Sequence, residues 1–128
     1  MKIIGIIAAY LALVLLVIMC LKPIFKRLAK KNNLLKAINR FLVKYHKYMG
    51  ILFVIFVIIH GIFSFTNTIK TYCAYLACVF AAISILFYFL RKKLKVKWLK
   101  LHLIFAIISL LFSILHIIEV NIYLPFFY

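Results

Sequence analysis

Residues 46–60 read HKYMGILFVIFVIIH, and residues 102–116 read HLIFAIISLLFSILH. Each stretch is an apolar run closed at both ends by a histidine, and in each the two histidines stand 14 positions apart. Fourteen residues turn an α-helix through about 1400°, within roughly 40° of four whole turns. The two histidines of a pair therefore share one helical face, with a rise of about 21 Å between them. The chain has four histidines, His46, His60, His102 and His116, and none lies outside these pairs.

The composition around the two stretches places them in lipid. Of 128 residues, 70% are hydrophobic and 14% are charged. A soluble domain of this size leaves too much of its surface facing water to hide so much apolar area. Four runs cross about 30 Å of hydrocarbon at 1.5 Å per residue: Ile3 to Leu21, Tyr48 to Phe65, Tyr72 to Leu90 and Leu101 to Val120. None contains Asp, Lys or Arg. The expected fold class is all-α, an integral membrane four-helix bundle forming a single transmembrane domain over residues 1–128.

Charge orients the bundle. Seventeen Lys and Arg oppose one acid, Glu119, for a net charge of +16. Lys22, Lys26, Arg27, Lys30, Lys31, Lys36, Arg40, Lys44 and Lys47 lie between the first two runs, and Arg91, Lys92, Lys93, Lys95, Lys97 and Lys100 lie between the last two. The connection Thr66 to Thr71 holds only Lys70, and the N-terminus only Lys2. The positive-inside rule makes both basic loops cytoplasmic and both termini external, in a multi-pass protein of the cell membrane. So basic a chain elsewhere suggests nucleic acid. Here the cations flank membrane spans and meet lipid headgroups first, so nucleic acid is not an expected partner.

Within the basic interfacial loop 22–47, Leu34, Leu35, Ile38, Phe41 and Leu42 share a face, with Lys36, Arg40 and Lys44 largely away from it. That pattern predicts a short helix on the inner membrane surface, either an anionic-lipid anchor or a docking patch for an acidic electron donor. The first run is expected to be a retained anchor. Leu16 to Met19 lack the small residues of a cleavage site, and the positive flank follows the run. Cys20, Cys73 and Cys78 form no C-x-x-C-H, which excludes a c-type haem attachment. The five-residue step from Cys73 to Cys78 points the two thiols apart, against a disulfide.

The second and fourth runs share a direction, because one crossing separates them. His46 and His102 then sit where a basic loop enters the membrane, and His60 and His116 sit near the outer ends. Two facing imidazole pairs at two levels suit haem, whose iron takes one nitrogen on each side of the ring plane. Ligating imidazoles are neutral, which also suits lipid. The same stripes carry Gly50, Phe53, Val57 and Ser64, and Ala106, Ser109 and Ser113. Small residues leave room for a flat macrocycle, and Phe53 falls between the levels. The expected cofactors are two haem b between the second and fourth spans, with Gly50, Phe53, Ser109 and Ser113 lining them. Taken singly, His46 and His102 also read as interfacial polar residues, and His60 and His116 as interhelical hydrogen-bond partners. A zinc or copper path wants its ligands at one level.

Glu119 follows His116 by three positions and admits two readings. One is a group handling protons, a quinone or a metal substrate; the other is a helix-end marker with Asn121 and Tyr123. Trp98 and the tail 124–128 read as interfacial anchors.

The stretch His46-Lys47-Tyr48-Met49-Gly50 running on to His60-Gly61, and Trp98-x-x-x-His102 running on to Leu115-His116, resemble the ferric reductase-like transmembrane superfamily over roughly residues 44–120. The spacing is also similar to that of cytochrome b in quinol-oxidising complexes. The resemblance implies that His46 and His102 ligate an inner haem iron, that His60 and His116 ligate an outer one, and that Trp98 sits beside a haem. It implies electron transfer across the bilayer from a cytoplasmic or quinol donor to an external acceptor. Family members usually have six spans, and many add flavin and nicotinamide domains. Here four runs are present and no G-x-G-x-x-G fingerprint, so a separate electron-donor protein is expected. The alternative is a haem-binding membrane anchor subunit of a larger oxidoreductase. A more distant alternative, a small four-helix transporter of cations, needs an acid within a span, and the first three runs have none.

Overall fold

An apolar stripe starts at Leu35 and continues in phase through Ile38, Leu42, His46, Met49, Phe53, Val57 and His60. Nothing in that stretch ends a helix, and one face serves throughout. In the computed structural model, which describes residues 2–30, 32–64 and 72–123, the stretch is accordingly one helix. The helices are α1 (Lys2–Leu28), α2 (Asn33–Ser64), α3 (Tyr72–Phe89), α4 (Arg91–Leu94) and α5 (Lys97–Tyr123). They take up 94% of the described residues, with no strand among them. Four are long and apolar enough to cross a membrane: Ile3–Leu28, Asn33–Phe63, Tyr72–Phe89 and Lys97–Val120.

The region 22–47 differs from the loop expected there. The segment 34–44 is the beginning of α2, continuous with the span, and not a separate surface helix. On the other side, α1 runs past Leu21 to Leu28 with Pro23 inside it. Proline costs a soluble helix one backbone bond, but helices in lipid tolerate it. Lys26 and Arg27 occupy the last turn of α1, where cations favour the negative end of the helix dipole. Asn32 then caps α2: its Oδ1 accepts the Leu34 N–H at 2.8 Å, and its carbonyl accepts the Lys36 N–H at 3.0 Å.

The chain divides into two compact units, Met1–Thr66 and Asn67–Tyr128. In the first, α1 and α2 form an antiparallel hairpin. Gly5, Ala8, Ala12 and Leu16 are buried at steps of three and four, so α1 offers a stripe of mostly small residues that lets backbones approach closely. Leu42 and Phe53 are the buried large residues of α2.

In the second unit α3 packs against α5. Ala77, Ser84 and Ser109 are buried. Around them the Phe80 ring lies 5.9 Å from Phe105 and 5.4 Å from Phe112, and Phe87 lies 5.3 Å from Phe105. Such aromatic pairs add stabilisation beyond the area they bury. The expected loop between the last two spans is largely helical too, as the single turn α4 and the start of α5. Lys95 closes α4 at a positive φ of 49°, its N–H bonded to the Arg91 carbonyl at 3.1 Å. A side chain there is disfavoured by about 1 kcal/mol or more. Ser64's side chain, the connection Thr66 to Thr71, the side chains of Asn121 and Tyr123, and the tail 124–128 lie outside the described residues.

Candidate functional site

His60 is half-buried on α2, and its Nδ1 lies 3.0 Å from the Gly5 carbonyl oxygen of α1. A carbonyl only accepts, so Nδ1 carries the proton and donates. Histidines that ligate a metal through one ring nitrogen commonly donate the other in this way. The contact also fixes the register of the hairpin, within which Phe53, 9% exposed, is a packing residue. Gly50 lies one turn closer to His46, and a Cβ built there meets nothing within 4 Å. His46 is half-buried on the same stripe. Beside it the Tyr45 ring lies 4.6 Å from Phe41 and 6.4 Å from Tyr48, with the Lys44 ammonium 5.4 Å from the Tyr45 centroid.

His102 repeats the device on α5. Its Nδ1 lies 2.8 Å from the Ser84 carbonyl of α3 and 2.9 Å from Ser84 Oγ, while Ser84 Oγ donates to the His102 carbonyl at 2.9 Å. Nδ1 is again the donor. Trp98, one turn before, sits 6.1 Å from the imidazole, and Tyr88 meets Trp98 edge-on at 6.1 Å. The Arg91 guanidinium covers Tyr88 at 4.6 Å.

Two turns past His102, Ser109 donates to the Ala77 carbonyl at 2.8 Å and is 1% exposed. It clamps α5 to α3. Ser113 donates to the Ser109 carbonyl at 2.9 Å within its own helix. His116 is half-buried on this stripe, and Glu119 lies one turn beyond. The Cys73 thiol of α3 lies within reach of the Glu119 carboxyl group. Cys20, Cys73 and Cys78 are free thiols.

No known protein family, curated protein or solved structure matches the chain. Its chemistry is therefore read from the side chains. Among the described residues, no three His, Cys, Asp or Glu groups gather where they could hold one ion. A bare zinc or copper ion wants such a cluster. A haem iron brings four equatorial nitrogens of its own and asks the protein only for axial imidazoles. His60 and His102, each held through Nδ1, and the open space at Gly50 are the features that bear on that demand.

Sequence reasoning missed Gly5 and Ser84, the partners that hold the two imidazoles. The available signal was Ser84, the one serine or threonine within α3. A polar side chain in an otherwise apolar span usually bonds to a neighbouring helix. Gly5 carried no such mark, because its carbonyl does the work.

Proposed function

We propose that the chain is a di-haem b-type membrane cytochrome, ferric reductase-like, that carries electrons across the bilayer from a cytoplasmic or quinol donor to an external acceptor. His46 and His102 ligate one iron, and His60 and His116 the other. Bound haem supplies reversible one-electron exchange at iron. The polypeptide supplies neutral, oriented imidazoles in a setting of low dielectric.

One observation carries the reading. His60 and His102, from different helices, are both held through Nδ1 by a backbone carbonyl of the neighbouring helix. Histidines that ligate metals commonly donate the other ring N–H in this way, which fixes ring orientation and raises basicity at the ligating nitrogen. A histidine that merely bridges helices has no need of matched spacing. Gly50 leaves room beside α2, whereas Phe53 and Ser109 hold their helices in register.

The test is haem stoichiometry on the purified chain, by redox-difference spectrum and pyridine haemochrome. Two b-type haems per chain are expected. His60→Ala combined with His116→Ala should leave one haem, and adding His102→Ala should remove it. A colourless protein from haem-replete cells would end the proposal.

A further inference from the structure

We infer that the turn joining α3 to α5 docks an acidic one-electron carrier protein; this rests on the di-haem reading and names the class of partner serving it. Arg91, Lys92, Lys93, Lys95, Lys97 and Lys100 are all exposed within ten residues. The chain's one acid, Glu119, lies 22 positions beyond Lys97 on α5, about 33 Å along the helix axis. Nothing acidic in the chain's own sequence stands near to neutralise the turn. At its apex Val96 is 90% exposed, held between Lys95 and Lys97 where Lys95 adopts positive φ. An apolar tip ringed by cations matches the usual anatomy of an interface, an anchor within a charged rim that steers an oppositely charged partner.

Lipid headgroups would also meet such a turn, and what lies beneath it decides between them. The Arg91 guanidinium rests on Tyr88, Tyr88 abuts Trp98, and Trp98 abuts the His102 imidazole, at 4.6, 6.1 and 6.1 Å. Three ring contacts lead from a surface cation to a proposed ligand without a break. A lipid anchor uses cations, an apolar tip and interfacial Tyr and Trp, but has no need for those rings to meet a haem ligand. A surface that receives an electron carrier gains from a short path of contacts to that ligand.

The experiment uses the full chain in nanodiscs of neutral lipid, with an acidic plant-type [2Fe–2S] ferredoxin as the probe and binding read by surface plasmon resonance. Binding should weaken about tenfold as ionic strength is raised through the physiological range. Lys92→Glu, Lys93→Glu and Lys95→Glu together should weaken it at least as much, and Val96→Asp, at a fully exposed position, should weaken it with the fold intact. Lys36→Glu, Arg40→Glu and Lys44→Glu on α2 should leave it unchanged. Absent or salt-insensitive binding overturns the inference, as does equal binding of a cofactor-free acidic peptide of the same charge, or loss only in the α2 variant. Haem content is read by absorption on the same samples. Failed docking by a chain that holds both haems overturns this inference alone, whereas a haem-free chain overturns the reading beneath it.

Discussion

Ser84 and His102 grip each other in both directions: the His102 Nδ1–H donates to the Ser84 carbonyl at 2.8 Å, and the Ser84 hydroxyl donates to the His102 carbonyl at 2.9 Å. The first bond uses backbone on the α3 side, so removing the Ser84 side chain does not abolish it. Ser84→Ala should therefore cost only about 1 kcal/mol of stability and keep haem content unchanged. Ser84 is 4% exposed, so Ser84→Leu overpacks the seam by about 1–3 kcal/mol and moves the carbonyl. Its haem affinity should fall by about 10- to 100-fold. Haem titration of detergent-solubilised variants decides it; wild-type affinity in Ser84→Leu would refute a positioning role.

Trp98 is the chain's single tryptophan and lies 6.1 Å from the His102 ring. Haem held by His102 should quench its emission strongly, and His102→Ala should restore it in the same haem-replete preparation. Equal emission from haem-loaded and haem-free chain would count against ligation by His102.

Gly50 and Ala12 should respond oppositely to added bulk. A Cβ at Gly50 meets nothing, so Gly50→Ala should raise stability by about 0.5–1 kcal/mol through lost backbone freedom in the unfolded state. Ala12 is 6% exposed on the packed stripe, and Ala12→Leu should lower stability by about 1–3 kcal/mol. Gly50→Leu has room within the polypeptide but covers the surface proposed for a macrocycle. It should keep the helix content and lose haem, as far-UV circular dichroism and absorption on one sample would show.

Cys73 and Glu119 bring the first turn of α3 beside the end of the span in α5. Cys73→Ala should cost about 0.5–1.5 kcal/mol in thermal unfolding, and Cys73→Ser, which still donates, should recover most of it. A double-mutant cycle with Glu119→Gln should return a coupling of similar size. Zero coupling would mean the contact contributes nothing.

The spans were legible because composition and run length alone decide whether a segment suits lipid. The histidine periodicity was legible for a similar reason: a repeat of 14 holds its face in any α-helix. Two features were not. Helix continuation through 33–47 was obscured by Lys36, Arg40, Lys44 and Lys47, which read as a loop although the stripe from Leu35 to His60 never breaks phase. The partners of His60 and His102 were hidden because a carbonyl acceptor belongs to every residue. Which carbonyl is used depends on the register of two helices, not on the identity of the residue that owns it. Ser109 shows the converse: its place beside the histidines was readable, but its role in clamping α3 emerged only with Ala77 opposite it.

The helices differ greatly in length: α2 has 32 residues, or about 48 Å, and α3 has 18, or about 27 Å. The extra length of α2 is its basic first half, with Lys36, Arg40, Lys44 and Lys47, so the apolar part from Tyr48 on is no longer than α3, and both barely match a typical hydrocarbon slab of about 30 Å. In a thicker bilayer such a short span drags its flanking charges inward or pinches the lipid locally, at a fraction of a kcal/mol per ångström. The mismatch reaches α3, the helix whose Ser84 steadies His102. Bilayer thickness becomes a physical variable acting on that one imidazole.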